Sequence, residues 1–219
     1  MLVRELQRLL ARLYKVDIDA DVIDYLVTDE SFVAGLSQHL DLSPDENLLL
    51  MEAGDTVDIA LYLNEGLLSR ATRSKPCDEL NCHNFDDFCK VLEGVSHFMY
   101  VAWNALNNKR VTRLELEMQA EVDKYVSSRL LLESQREPGI KSERLLAHLF
   151  RDVRFRDDMP SEELSRYRQA NDTIGRYCHN LEQRFSAAQM PAGMLHELRA
   201  FYRMPQPDKF SHINSVRFA

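Results

Sequence analysis

The sequence predicts a mainly α-helical fold: a helical bundle-like domain that contains a long antiparallel helix hairpin, at about residues 84–134, and one small β-hairpin, at about residues 47–64. Two patterns predict this class. Apolar residues recur at three- and four-residue intervals along most of the 219-residue chain. One segment near the N-terminus alternates apolar and polar residues instead, which is the period of a β-strand.

The N-terminal segment predicts short helices. Residues 2–15 place leucine at helical spacing, with arginine on another face, and so predict one amphipathic helix. Residues 20–40 contain further apolar positions that are interrupted near Thr28. This pattern predicts two short helices, of which the first follows Asp19 or Asp21.

Residues 47–64 predict the β-hairpin. Apolar and polar residues alternate from Val57 to Asn64, and Gly54-Asp55 separates this run from the apolar run 48–51. Because one hairpin alone is marginally stable in water, its apolar side must pack on helices or meet a strand of another chain.

The antiparallel helix hairpin is predicted from two long helical patterns and the short turn between them. The first pattern covers about residues 84–106, and polar residues 107–110 end it. Thr112, with Glu115 three residues later, forms a capping box that starts a second helix to about residue 133. Because the connection is so short, the two helices must run antiparallel.

Three further helices are predicted in the C-terminal part. A short helix starts at Ser142, a long helix follows Pro160, and another starts at Pro191. Residues 208–216 add one or two final turns. The long helix has a near-heptad apolar stripe that includes Asn171, whose amide either fixes the register of packed helices or lines a pocket.

Charge is distributed unevenly along the chain. The formal net charge is −8, and residues 16–69 contain 13 Asp and Glu but no Lys or Arg. Residues 72–83 interrupt both structural periods at Pro76 and predict a connector. The chain is therefore divided into an acidic N-terminal subdomain (1–71) and a helical domain (84–219), with one compact domain as the alternative.

The composition excludes several classes of partner. An acidic chain lacks the positive surface excess that binding to nucleic acids or anionic membranes requires. The chain contains no apolar run of membrane-spanning length and no N-terminal signal peptide, so a cytoplasmic location is expected. The first functional hypothesis is a non-catalytic interaction or regulatory module, whose acidic surface contacts a basic protein partner. Self-association is also expected, through the β-hairpin or through the apolar stripe of residues 164–185.

The second hypothesis is a metal-binding protein or a metal-dependent enzyme. Cys89, Glu93 and His97 follow one another at four-residue intervals, so one helix face presents a thiol, a carboxylate and an imidazole. The antiparallel hairpin brings His97 level with Glu121 of the next helix. These four residues are the candidate ligands of a transition metal between helices 84–107 and 112–134. Under the first hypothesis no cofactor is expected, and His97 forms a structural ion pair with Glu93 or with Glu121.

The cysteines suggest a further zinc site only weakly. Cys77, Cys82 and His83 lie shortly before Cys89, and thiolates with imidazole are zinc ligands. The spacing lacks the CxxC pattern of structural zinc sites, so ordinary reduced thiols are the expected state.

Overall fold

The computed structural model describes residues 1–31, 43–53, 56–135, 142–153, 159–185 and 190–215, together with Gly35. Within these residues the protein is mainly α-helical, with a small three-stranded sheet near the N-terminus, and this confirms the predicted fold class. The elements in chain order are α1 (Leu2–Tyr14), a 3₁₀ turn (Val22–Tyr25), β1 (Leu26–Val27), β2 (Glu46–Ala53), β3 (Thr56–Leu63), α2 (Glu65–Ser74), α3 (Phe85–Leu106), α4 (Arg113–Ser134), α5 (Ser142–Leu146) with a following π-helical turn (Ala147–Arg151), α6 (Ser161–Arg184), α7 (Ala192–Arg203) and α8 (Gln206–Ser215). No helix in the described ranges is both long and apolar enough to span a membrane.

The helices α3 and α4 form the predicted antiparallel hairpin, which lies at the centre of the structure. Residues 91–102 of α3 are all buried, so this helix is covered on every side. The Thr112 hydroxyl accepts a hydrogen bond of 3.1 Å from the backbone N–H of Glu115, which caps the start of α4 as the sequence predicts. The hairpin therefore provides the frame on which the other elements pack.

The predicted β-hairpin is present and packs on α3. Strands β2 and β3 pair antiparallel, and the register places Glu46 opposite Leu63. The predicted turn residues Gly54 and Asp55 lie outside the described residues. A strand that the sequence does not predict, β1, pairs parallel with β3. With only two residues, β1 is too short to show an alternating pattern.

The sheet approaches α3 closely because α3 has a glycine at the contact. A Cβ atom on Gly94 would lie 3.0 Å from a methyl group of Leu61 and 3.1 Å from one of Leu63. It would also lie 3.3 Å from the Glu46 carboxylate. The missing side chain thus lets β3 lie against α3 and brings Glu46 of β2 to the helix surface.

The N-terminal segment differs from the prediction at the first of the two short helices. The chain after Asp21 forms a 3₁₀ turn rather than an α-helix, and the Asp21 side chain accepts the N–H of Ile23. The second helix predicted within residues 20–40 falls largely on residues 32–42, of which only Gly35 is described.

The predicted connector is partly helical and packs on the end of α4. Helix α2 extends through Ser74, and the side chain of Gln135 bonds to the backbone of the following segment. Its Oε1 accepts the N–H of Leu80 at 2.8 Å, and its Nε2 donates to the Pro76 carbonyl at 3.3 Å. The division of the chain at this connector stays a prediction.

The C-terminal helices α6 and α7 agree with the sequence, whereas α8 is longer than the predicted turn or two. Pro207 lies in the first turn of α8, where the missing N–H of proline costs no helical hydrogen bond. The buried amide of Asn171 donates to the Leu149 carbonyl at 2.9 Å and so connects α6 to the π-helical turn. The buried amide is therefore satisfied within the protein, and both alternatives that the sequence left open for Asn171 stay predictions.

The close contact at Gly94 gives the first prediction. Gly94→Val forces the sheet away from α3, and we expect the free energy of unfolding to fall by ~1–3 kcal/mol, measured by urea denaturation. Gly66→Ala is the control, since Gly66 is exposed on α2 and its nearest neighbours are the flexible side chains of Asn64 and Arg70. Equal stability of the two variants would contradict the packing described here.

Candidate metal centre

Four carboxylates and one imidazole meet where α3, α4 and β2 come together. Each of these five side chains belongs to a residue that is at most 9% exposed. The residues are Glu46 from β2, Glu93 and His97 from α3, and Glu117 and Glu121 from α4. Burial of so many ionisable groups requires compensation, because an isolated charge in a protein interior is strongly unfavourable.

His97 lies between two carboxylates. Its Nδ1 is 3.8 Å from Glu46 Oε2, and its Nε2 is 3.7 Å from Glu117 Oε2. Both distances allow ion pairing but exceed hydrogen-bond length. Within the described part of the chain, His97 Nε2, Glu46 Oε2 and Glu117 Oε2 are all buried and have no hydrogen-bond partner.

Glu93 completes a group of three ligand atoms. One atom each from Glu93, His97 and Glu117 lie within 4.8 Å of one another. Among the described residues, this is the one group of three or more histidine, cysteine or acidic side chains with the spacing of a metal site. The other Glu93 contact is to Lys124, whose Nζ lies 2.6 Å from Glu93 Oε2.

Lys124 is the centre of a second cluster of charged side chains, next to the cluster around His97. Its Nζ also donates to Glu121 Oε1 at 3.1 Å, and the three side chains are only 11–12% exposed. The thiol of Cys89 is close enough for its charge and that of Lys124 to act on each other. The carboxylate of Glu93 is therefore shared between His97 and Glu117 on one side and the Lys124 ammonium on the other.

Helix α6 closes the site with two further side chains. Arg166 Nε lies 3.4 Å from Glu117 Oε1, on the carboxylate oxygen that faces away from His97. The Tyr167 phenol is close enough to Glu93 and Glu117 for their charges to raise its pKa, which burial already raises. Arg166 thus positions Glu117, and Tyr167 supplies a protonated hydroxyl beside the carboxylates.

The pKa values of these groups are shifted because they are buried and several charges lie close together. Burial, together with the nearby Glu93 and Glu46 carboxylates, raises the pKa of Glu117 to about 7 against the opposing effects of His97 and Arg166. Burial alone would lower the pKa of His97, but Glu46, Glu117 and Glu93 together raise it to about 9. The pKa of Glu93 is lowered despite its burial, because Lys124 and His97 stabilise its charge. The cluster without a metal therefore retains protons near neutral pH.

The four metal ligands predicted from the sequence divide between the cluster around His97 and the cluster around Lys124. Glu93 and His97 lie together, and the structure brings the imidazole of His97 to Glu117 and not to Glu121. Glu121 instead pairs with Lys124, beside Cys89. Lys124 accounts for this difference, since its ammonium lies one helical turn after Glu121 and holds that carboxylate away from the imidazole.

Sequence reasoning missed several residues of the site. Glu117 and Lys124 could have been recognised from the sequence. Together with Glu121 they form a row of charged residues on the second helix of the hairpin, which must be largely buried. Glu46 and Arg166 have no such signal, because they reach the site only through tertiary packing. The other predicted zinc ligands, Cys82 and His83, are exposed.

A second buried polar network lies next to the first one along α3. Ser96 Oγ donates to Asp123 Oδ2 at 2.6 Å, and Asp123 also accepts hydrogen bonds from Tyr14 of α1 and from Gln119. Nζ of Lys209, from α8, donates to Gln119 Oε1 at 2.8 Å. Because Ser96 and His97 are adjacent on a helix, their side chains point to different sides, and each network has its own environment.

The chain matches no protein-family model, no curated protein and no solved structure. A functional assignment therefore depends on the geometry of the site.

The Lys209 network gives a prediction of pH dependence. Burial lowers the pKa of Lys209 to about 7 although Glu115 and Asp123 oppose this, whereas a lysine in the unfolded chain titrates near pH ~10.4. Between these values the unfolded chain binds a proton that the folded chain lacks, so this group contributes stability that grows as pH rises above 7. The stability of wild type relative to Lys209→Met should therefore increase from pH 7 to pH 9, by up to ~1.4 kcal/mol per pH unit.

Urea denaturation of both proteins at the two pH values measures this difference. Lys15→Met is the control, because Lys15 is exposed and its removal should give no such change with pH. A difference between wild type and Lys209→Met that stays constant, or shrinks as pH rises, would contradict the buried neutral lysine.

Proposed function

We propose that the protein binds one divalent transition-metal ion through Glu93, His97 and Glu117. The observation that carries the proposal is the set of buried, unpartnered atoms that face one another: His97 Nε2 and Glu117 Oε2 lie 3.7 Å apart and have no hydrogen-bond partner among the described residues. Buried polar atoms are rarely left without a partner in proteins, and such exceptions are frequent at functional sites.

The distances support a metal ion of ordinary size. Ligand bonds of ~2.0–2.2 Å around a tetrahedral ion place the ligand atoms ~3.4 Å apart. The 3.7 Å separation of His97 Nε2 and Glu117 Oε2 is close to this value, and the 4.8 Å limit for the whole group requires only small side-chain shifts. The site therefore needs no backbone rearrangement to take an ion.

The charge balance also supports a divalent ion. With His97 neutral, four carboxylates face two cationic side chains, Lys124 and Arg166, which leaves two negative charges uncompensated. Without a metal, protons on His97 and Glu117 reduce this excess. A divalent cation would neutralise it and displace those protons, as metals do when they bind imidazole and carboxylate ligands.

Glu46 has the position of an outer carboxylate. Metal-binding histidines commonly donate their second ring nitrogen to a carboxylate, which fixes the ring and increases its basicity. His97 Nδ1 faces Glu46 Oε2 at 3.8 Å while Nε2 faces Glu117. In the proposed centre, Nε2 binds the ion and Nδ1–H donates to Glu46.

The donor set narrows the choice of metal. One imidazole nitrogen and two carboxylates suit Mn²⁺, Fe²⁺, Co²⁺ or Zn²⁺, and they are too few and too nitrogen-rich for a calcium site. Cys89 is not part of this set, because the ligand atoms that lie within 4.8 Å of one another belong to Glu93, His97 and Glu117.

Metal binding tests the ligand assignment. Purified wild-type protein, loaded with Mn²⁺ or Zn²⁺ and then dialysed, should retain about one ion per chain by elemental analysis. His97→Gln and Glu117→Gln each remove a ligand and should weaken binding by ~100-fold or more. The matched control is Glu121→Gln, one helical turn from Glu117 on the same helix, which should keep its ion.

Two outcomes would contradict the proposal. One is a wild-type protein that retains no ion under any of these loadings. The other is a loss of the ion in Glu121→Gln with retention in Glu117→Gln, which would restore the ligand set expected from the sequence.

Glu46→Gln tests the outer carboxylate separately. Its removal should lower the metal affinity by ~10–100-fold without changing the number of ions bound, because it acts through His97 and is not a ligand. Isothermal titration calorimetry with Mn²⁺ gives both values. A change in stoichiometry to zero, or an unchanged affinity, would argue against this role.

The acidic interaction module is the second candidate. Some acids of the window 16–69 pair inside the chain, as Asp21 does with Arg4 and Asp45 with Lys90. Other acids of this window are exposed, namely Asp17, Asp19, Asp24, Glu30, Asp58 and Glu65. They leave an acidic surface for a basic protein partner. This partner, self-association of the chain and the cytoplasmic location all stay predictions.

A further inference from the structure

We propose that the free edge of β2 binds an extended basic segment of a partner protein, which adds to the sheet as a fourth strand. The strand order β1-β3-β2 places β2 at one edge of the sheet. All eight residues of β2 pair with β3 on one side, and no strand among the described residues pairs with its other side. This edge therefore offers main-chain N–H and C=O groups that another strand can bind.

The strand β2 lacks the features that commonly protect a free edge. These features are lysine or proline in the strand, a β-bulge, or a very short strand. The sequence of β2 contains no lysine and no proline, and its register with β3 continues without a bulge over its whole length. Its charged residues are Glu46 and Glu52, near the two ends, and the run 47–51 between them carries no charge. The middle of the edge is thus open to pairing.

Apolar side chains become exposed toward the end of β2. The exposed fraction rises along the strand from 8% at Glu46 to 47% at Leu50 and 63% at Met51. Because consecutive residues of a strand point to opposite faces, both faces of the sheet are open at this end. Large apolar side chains that are exposed together are typical of an interaction site. The proposed metal centre uses only Glu46, at the buried start of β2, so the two sites are separate.

Charge favours a basic partner over a second copy of this chain. Residues 16–69, which include the whole β-hairpin, contain 13 acidic residues and no lysine or arginine. Asp58 is exposed and lies opposite Met51, on the same face of the sheet. Two copies that paired along β2 would bring two such acidic segments together, and these repel each other. Lysine or arginine on the added strand meets the opposite charge instead.

The two faces of the hairpin favour an alternating sequence in the added strand. On one face Leu50 lies opposite Ile59, so a side chain beside Leu50 meets an apolar surface. On the other face, a lysine beside Met51 covers that side chain with its aliphatic stem and directs its ammonium toward Asp58. The partner segment therefore alternates apolar and basic residues, as the period of a β-strand requires.

Three synthetic peptides test the chemistry of the partner. The first has eight residues, alternates lysine and valine, and carries fluorescein, so that fluorescence anisotropy at low ionic strength gives its Kd. We expect wild type to bind it. Replacing each lysine by glutamate should weaken binding by at least ~10-fold, because the charges then repel. Methylation of every main-chain nitrogen keeps the side chains and the charge but removes the N–H donors, and it should also weaken binding by at least ~10-fold.

Variants of the protein test the position of the site. Leu50→Lys and Met51→Lys each place a positive charge at the edge and should weaken binding of the lysine–valine peptide by ~10-fold or more. Leu106→Lys is the matched control, because it makes the same change at a side chain that is 64% exposed. Leu106 ends α3, ~18 Å along the helix from the contact at Gly94, and its variant should keep the wild-type Kd.

Several results would overturn the proposal. One is a wild-type protein that does not bind the lysine–valine peptide even at ~1 mM. Others are equal binding of the three peptides, or a Kd that neither Leu50→Lys nor Met51→Lys changes. Analytical ultracentrifugation without peptide tests the other occupant of the edge. We expect wild type and Leu50→Lys to have the same mass in solution, whereas a wild-type dimer that Leu50→Lys dissociates would assign the edge to a second copy and overturn the proposal.

Discussion

The burial of α3 on all sides is the constraint on which the rest of the structure depends. A helix covered in this way has no solvent for its polar side chains, yet α3 carries Glu93, Ser96 and His97 within its buried segment. Each of these groups must find partners inside the protein, because an uncompensated buried charge would cost several kcal/mol, or roughly half of a typical folding free energy. The arrangement of the neighbouring elements follows from this need.

The two sides of α3 meet the requirement differently. On the side of α1 and α8, Ser96 and Asp123 belong to a network in which the polar contacts are direct hydrogen bonds, and Lys209 fixes α8 to it. On the side of β2 and α6, His97 faces carboxylates at distances too long for hydrogen bonds. The first network is satisfied and structural in character. The second keeps unpartnered atoms on His97, Glu46 and Glu117, and for this reason we propose that it binds an ion.

The sequence predicts the frame well and the site only in part. The helix hairpin and the β-hairpin follow from local periodicity, capping and turn residues, and Glu93 and His97 follow from their spacing on one helix. The partner of His97 does not follow, because Lys124 binds Glu121 and leaves Glu117 to the imidazole. Glu46 reaches His97 only because Gly94 lets the sheet approach α3, and this close contact is a tertiary feature that no local pattern records.

A crystal structure of the Mn²⁺-loaded or Zn²⁺-loaded protein, with anomalous diffraction to locate the ion, is the most direct test of the central claim. For the proposed centre we expect one anomalous peak within bonding distance of His97 Nε2, Glu93 and Glu117, with Glu46 on the far side of the imidazole and Lys124 still bound to Glu121. The proposed centre is contradicted if loaded crystals show no peak at this position, or if the peak lies between Cys89 and Glu121 with the Lys124 ammonium displaced.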